Sequence, residues 1–278
     1  LKQLVRNADV LVENFRPGVM ARLGLDYAVL RQENPNLIYC AISGFGQTGP
    51  RNGDPAYDQI IQGFAGVMSI TGSPETKSYR VGYPIADTSG GMAAAMSIAA
   101  ALNAEPRGAF LDVSMTDAVL SAMGWVVSNY LIGGIEPAAH GNENTTSAPS
   151  GTFATADQPI NIAANRDEQW VSLATHIGRT DLLDHPDYVT REMRKAHRHA
   201  LRNEIETVLT RRPAQDWVTE LNAIGVPSGP VLSVPQVLDD AQIAERDMIA
   251  TLSKDGEEIN VATGPAIIDG DKPMPAHY

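Results

Sequence analysis

The chain has 278 residues, of which 43% are hydrophobic and 19% charged, with a formal charge of -12; this is globular composition, long enough for one large core or two smaller ones. No basic stripe interrupts the acidic balance, which argues against nucleic acid or an anionic membrane as partner and requires any anionic ligand to be held by local groups. A single cysteine, Cys40, excludes an internal disulfide and reads as a buried structural thiol in the apolar run 37–42, while the apolar run 92–102 is too short to span a bilayer and no leader pattern opens the chain, so the expectation is a soluble, cytoplasmic protein.

In chain order, residues 1–5 read as the end of a helix already under way, and the far end stops at Met274-Pro275-Ala276-His277-Tyr278 without a closing element, so a fragment is expected. Ala8-Asp9-Val10-Leu11-Val12 has the β-branched character of a buried strand and empties into the loop Glu13-Asn14-Phe15-Arg16-Pro17-Gly18. Helical stretches from Val19 and over 26–32 lead to a second strand, 37–42, which opens into the polar loop 43–51. Strand, helix and strand in this order predict a right-handed parallel unit, whose ligands bind at the C-terminal ends of the strands, where both loops fall.

Asp54-Pro55 is the pattern of a helix start, with an N-cap and then proline at the first position, and it places Tyr57 and Asp58 in a first turn. The stretch from Pro84 then brings one carboxylate, Asp87, to the start of a helix of Ala, Gly, Met, Ser and Ile that runs to about residue 103. So little polar surface predicts a helix packed on all sides. Asp87 reads either as an ordinary N-cap or as a carboxylate held ionised by helix-end N–H groups for chemistry, and the stretch alone leaves both open. A strand over 109–113 and one long helix over 115–130, broken by Gly133-Gly134, complete this part.

Residues 136–151 shift to Gly, Asn, Thr, Ser and Pro, as in a linker. Two strands around the turn 156–159 follow, then helical patterns at 168–177, 197–209, 214–224, 234–238 and 241–248. The expected layout is a large α/β domain over 1–135, a linker over 136–151, a small α+β domain over 152–248, and an extended segment, 249–278, returning toward the large domain.

Candidate sites are few. Gly44-Phe45-Gly46 lacks the rest of a phosphate loop, and no Walker lysine exists. His197 and His199 sit on a charged helix face, the other histidines lack ligand-spaced companions, and no metal site is expected. Ser114, Ser121 and Ser150 lack a nucleophile elbow. Arg16, Arg22 and Arg51, in or just after the two strand-end loops, either form a phosphate-binding cluster or are ordinary surface arginines. Asp117 is either a second carboxylate of an acid/base pair or a structural hydrogen-bonding group.

Six segments, taken together and in order, resemble the class III coenzyme A transferases, a family that also contains the α-methylacyl-CoA racemases. They are Ala8 to Gly18, Ala41-Ile42-Ser43-Gly44-Phe45-Gly46, Ala56-Tyr57-Asp58-Gln59, Asp87-Thr88-Ser89-Gly90, Asp112-Val113-Ser114-Met115-Thr116-Asp117-Ala118, and Gly225-Val226-Pro227-Ser228-Gly229-Pro230-Val231. The resemblance implies a Rossmann-like parallel-sheet large domain with a smaller α+β domain, an interlocked homodimer, and acyl-CoA and carboxylic acid substrates, with CoA a substrate and no permanently bound cofactor. It implies that Asp87 attacks the thioester to form an aspartyl anhydride and then an aspartyl-CoA thioester. By the same resemblance Asn14, Phe15, Arg16 and Arg22 contact CoA, and Ala56, Tyr57 and Asp58 belong to the CoA site, with Tyr57 near the thioester.

Racemases of the family carry Gly-His-Asp where this chain has Ala56-Tyr57-Asp58, because moving an α-proton needs a base on each face, and tyrosine, with its high intrinsic pKa, is a poor base. CoA transfer is therefore the expectation, with 2-methylacyl-CoA racemisation and a truncated, non-catalytic CoA-binding subunit as the rival readings. The family's first strand and loop, its run of glycines over the active site and its C-terminal closing segment have no match here; Gly141-Asn142-Glu143-Asn144 occupies the glycine run's region.

Overall fold

The computed structural model describes residues 1–254 and 256–275, and the chain divides into two compact units, Leu1–Asn142 and Glu143 to the chain end. The expectation about how the chain closes at 276–278 lies outside the described residues.

In the first unit the order is α1 (Lys2–Val5), β1 (Val10–Glu13), α2 (Val19–Arg22), α3 (Tyr27–Glu33), β2 (Ile38–Ser43), α4 (Asp58–Phe64), α5 (Val67–Ile70), α6 (Ile85–Leu102), β3 (Ala109–Ser114), α7 (Met115–Ala122) and α8 (Trp125–Gly133). The strands pair in parallel, β1-β2-β3, with Val10 opposite Ile38 and Ser43 opposite Ser114. Strand alternation explains how β2 serves two cores. Tyr39 and Ala41 join Val5, Met20 and Leu30 on one face, while Cys40 meets Ala94 and Val113 on the other. β1 was expected to be buried; among the described residues it has a strand neighbour on one side only, and Val12 is 54% exposed.

Three local expectations give way to tertiary context. α4 begins at Asp58, with Tyr57 at the N-cap, rather than at Asp54-Pro55. The helix expected over 115–130 is two, α7 and α8, because the chain turns at Gly124, whose φ of 37° suits glycine. α6 is not packed on all sides. It rests on β2, β3, α4 and α7 through Ala86, Gly90 and Ala94, a stripe repeating every fourth residue, while Met92 and Met96 are 63% and 74% exposed. At 18 residues it is also long and apolar enough to cross a membrane by length and composition, unlike the shorter run 92–102.

The second unit pairs β4 (Ser150–Phe153), β5 (Ile160–Ala163) and the later β6 (Ser228–Pro230) as an antiparallel sheet, with α9 (Asp167–His176), α10 (Arg191–Ala196), α11 (Arg198–Leu209) and α12 (Ala214–Ala223) between β5 and β6. Apolar positions repeating at helical spacing bring Trp170, Leu173, Leu201, Ile205, Trp217 and Leu221 together over Ile160 and Ile162. α13 (Val234–Leu238), α14 (Ala241–Glu245) and a hairpin of β7 (Ile249–Lys254) and β8 (Glu257–Ala262) follow. α10 and β6 were not anticipated. The Asn222 side chain bonds both the N–H and the C=O of Ser228, each at 3.0 Å, and holds it against β5.

Candidate active site

All three strands of the first unit end on the same side, at Glu13, Ser43 and Ser114, and the connections leaving them surround a cavity of about 390 Å³. The loop after β1 contributes Asn14, Phe15, Arg16 and Pro17; β2 and its exit contribute Ile42, Ser43 and Gly44. The segment before α4 adds Asn52, Asp54, Ala56 and Tyr57, α6 adds Asp87 and Gly91, and α7 adds Met115. This is the crevice at the carboxyl ends of parallel strands where open α/β sheets take ligands.

Each wall is held by identifiable bonds. Glu13 turns back so that its Oε2 accepts from the Phe15 N–H at 2.7 Å, which shapes the start of the loop; burial pushes its carboxyl above the ordinary range despite that bond. Gly44 lets the exit of β2 pass against the segment before α4, since a Cβ there would lie 2.2 Å from the Ala56 Cβ. Thr116 donates to the Gly44 carbonyl through its N–H at 3.1 Å and its hydroxyl at 2.8 Å, tying α7 to the same loop. Ser114 caps α7 by accepting from the Asp117 N–H at 3.2 Å, and Asp117 does not line the cavity.

The start of α6 decides the chemistry available. Its N-cap is Pro84, which has no side-chain acceptor, and Asp87 lies in the first turn rather than at the cap. The capping carboxylate comes instead from α4. Asp58 Oδ1 accepts from the Ala86 N–H at 2.8 Å, and its Oδ2 accepts from Gln62 Nε2 at 2.7 Å. Gln62 is fully buried and accepts from the Val81 N–H at 2.8 Å, so one amide fastens the chain entering α6 to α4. The Asp87 carboxylate thereby remains without a hydrogen-bond partner among the described residues and faces the cavity. Desolvation, and secondly the charge of Asp58, hold it above the usual carboxylate range.

Of the residues singled out in the sequence, Asn14, Phe15, Arg16, Ala56, Tyr57 and Asp87 come together around this cavity; Arg22 and Asp58 do not line it. Arg22 lies on α2 with its guanidinium folded back over Gly18, where an added Cβ would meet Nη1 at 3.6 Å. Among the described residues neither Arg16 nor Arg22 has a carboxylate partner. Arg51 leaves the expected trio: it pairs with Asp54 at 3.1 Å and sits 5.0 Å over the Phe64 ring. Phe15 and Tyr57 are 51% and 77% exposed, large apolar surfaces available to a ligand. Gln62 is not among the residues singled out in the sequence; a glutamine one turn after an acidic residue is its sequence trace. Among the described residues no three His, Cys, Asp or Glu side chains cluster as metal ligands.

The model for "CoA-transferase family III" matches residues 1–276. The chain is 40% identical over 251 residues to acetyl-CoA:oxalate CoA-transferase of Acetobacter aceti, covering 89% of this chain and 64% of that protein. It is 35% identical over 272 residues to succinate–glutarate CoA-transferase of Agrobacterium fabrum, covering 96% of this chain and 68% of that one. A crystal structure of a CaiB/BaiF family protein from Brucella suis superposes with a TM-score of 0.87 at 32% identity, over 98% of this chain and 71% of that one. The chain thus spans a little under two thirds of the length of the Acetobacter relative. With a family model matched along nearly its whole length and a parallel sheet whose strand-end loops line a cavity together with Asp87, the chain belongs to CoA-transferase family III.

Proposed function

We propose that this protein moves coenzyme A from an acyl-CoA thioester to a free carboxylic acid, with Asp87 as the nucleophile. The observation that carries the reading is the Asp87 carboxylate in the first turn of α6, unpartnered among the described residues, in a cavity walled by Asn14, Phe15, Arg16 and Tyr57. In this reading Asn14, Phe15 and Arg16 hold CoA, Arg22 approaches its phosphates as a bidentate donor, and Ala56 and Tyr57 flank the thioester. Asp58 acts from behind, by fixing the start of α6. A tyrosine at position 57, where racemases of the family have histidine, favours transfer over α-proton exchange.

The reaction balances without water, metal or redox partner. An Asp87 oxygen attacks the thioester carbonyl; the new C–O bond forms as C–S breaks, leaving a mixed anhydride and CoA thiolate. The thiolate attacks the aspartyl carbonyl of that anhydride, releasing the donor carboxylate and leaving an aspartyl-CoA thioester. The acceptor carboxylate repeats the sequence in reverse, and Asp87 is restored. A carboxylate is a poor nucleophile unless desolvated and positioned, which the raised pKa and the Asp58–Gln62 fastening favour.

A homodimer in the cytoplasm is part of the proposal. Met92 and Met96 on α6, and Trp125, Leu131 and Ile132 on α8, are each at least 63% exposed, apolar surface that a second copy would cover. The test is incubation with acetyl-CoA and oxalate, and with succinyl-CoA and glutarate, followed by a hydroxylamine quench and peptide mass spectrometry. The proposal expects new acyl-CoA and a hydroxamate at Asp87 that Asp87→Asn lacks. Transfer activity with an unmodified Asp87 refutes the mechanism, and solvent deuterium entering the α-carbon without an acceptor favours the racemase.

A further inference from the structure

α6 carries two consecutive glycines that the fold uses differently. Gly90 is buried, and a Cβ there would lie 3.0 Å from Met115 Cγ and 3.8 Å from Ile42 Cγ2, so close packing accounts for it. At Gly91 an added Cβ would meet nothing within 4 Å, and the backbone is helical. Alanine is therefore sterically admitted at 91 and, inside a helix, intrinsically favoured over glycine. Packing among the described residues does not account for this glycine.

Its position supplies the reason. Gly91 lines the cavity one helical turn after Asp87. Side chains on a helix lean toward its N-terminus, so a residue at 91 covers the turn that carries Asp87. A side chain there would enter the cavity that Asp87 lines, whose apolar lining includes Ile42, Ala56 and Met115. We propose that Gly91 is a specificity-determining residue whose missing side chain keeps open the slot for an aliphatic acyl chain beside Asp87. Residue 91 then sets the length of acyl group that the site accepts. The inference rests on the reading of Asp87 as nucleophile in the preceding section.

The test compares Gly91→Ala and Gly91→Val with the unaltered protein, using straight-chain donors from acetyl-CoA to hexanoyl-CoA and oxalate as fixed acceptor. Gly91→Ala is expected to melt about 1–4 °C above the unaltered protein. Its kcat/KM for hexanoyl-CoA falls about tenfold relative to that for acetyl-CoA, and valine extends the relative loss to shorter chains. A lower melting temperature for alanine, an unchanged chain-length profile, or an equal loss for all donors overturns the proposal.

A second series keeps its failure separate from that of the transferase reading. In the Asp87→Asn background, calorimetric titration with S-ethyl-CoA and S-hexyl-CoA reads the slot without any transfer. Gly91→Val is expected to weaken only S-hexyl-CoA, by about tenfold; equal affinities for the two thioethers before and after the change overturn it. Absence of CoA transfer by the unaltered protein with every donor refutes the transferase reading and leaves this binding comparison to decide the slot.

Discussion

Replacing Gln62 with leucine perturbs the fastening behind Asp87 without touching the cavity. The Gln62 amide, fully buried, donates to Asp58 Oδ2 at 2.7 Å and to the Tyr83 carbonyl at 3.4 Å, and accepts from the Val81 N–H at 2.8 Å. Leucine has a similar size and none of these bonds. It leaves the Val81 N–H unpaired, at about 1–3 kcal/mol, and removes a hydrogen bond to a charged acceptor, at about 1.5–3 kcal/mol, against about 1–2 kcal/mol regained by burying an apolar side chain. The balance is a loss of about 3 kcal/mol, or about 6–12 °C in melting temperature for a unit of this size. Calorimetry on the purified variant measures the stability term. Hydroxamate formation at Asp87, followed where the variant is still folded, measures the positional one and is expected to fall as well. A melting temperature within about 1 °C of the parent would refute the reasoning, because it would mean that this buried network adds nothing beyond what water supplies.

On the proposed mechanism, in which Asp87 attacks as the carboxylate, hydroxamate formation is expected to fall off on the acid side above the ordinary carboxylate range, because the Asp87 pKa is raised by desolvation and then by Asp58. Asp58→Asn is expected to move that limb to lower pH without returning it fully, and an unmoved limb contradicts the charge effect. Arg194, 2% exposed, donates to the carbonyls of Ala148 at 3.0 Å and Tyr188 at 3.1 Å, pairs with Asp167 and lies 5.6 Å over the Trp170 ring. Arg194→Lys cannot reproduce that fork and is expected to cost about 2–4 kcal/mol in urea unfolding, where a cost under about 0.5 kcal/mol would contradict it. Glu220 is lowered from 4.5 to about 2, chiefly by the Arg212 side chain and next by His176. A depressed folded-state pKa contributes stability above the unfolded value and loses it as pH falls through the folded one. The parent should therefore lose stability between pH 4.5 and about 2 in a way that Glu220→Gln does not, as parallel melting curves across that window would reveal.

Much of the site was legible because its signals are local. β2 is a short apolar run with turn residues at its exit, so both the strand and the loop that follows could be read directly, and the order of strand, helix and strand placed two polar loops at one end of a parallel sheet. Asp87 announced itself as the one acidic residue opening a small-residue helix, and six short segments in order carried the family. The helix start at Asp54-Pro55 was misread for a physical reason. Asp54 is engaged by Arg51, while Asp58 is drawn into the first turn by the two partners it must satisfy, Ala86 and Gln62. Propensity at one dipeptide loses to a buried polar network assembled from three segments.

By itself, then, the sequence determined the elements whose period and punctuation are written in neighbouring residues: the central strands, most helices, and the carboxylate at the head of α6. Only the tertiary structure decided which carboxylate caps that helix and which is left free, because capping depends on an acceptor arriving from elsewhere in the chain. The same holds for two glycines side by side. Composition makes Gly90 and Gly91 equivalent, and only the fold, by setting Met115 against one and none of the described residues against the other, separates a packing requirement from open space in the cavity.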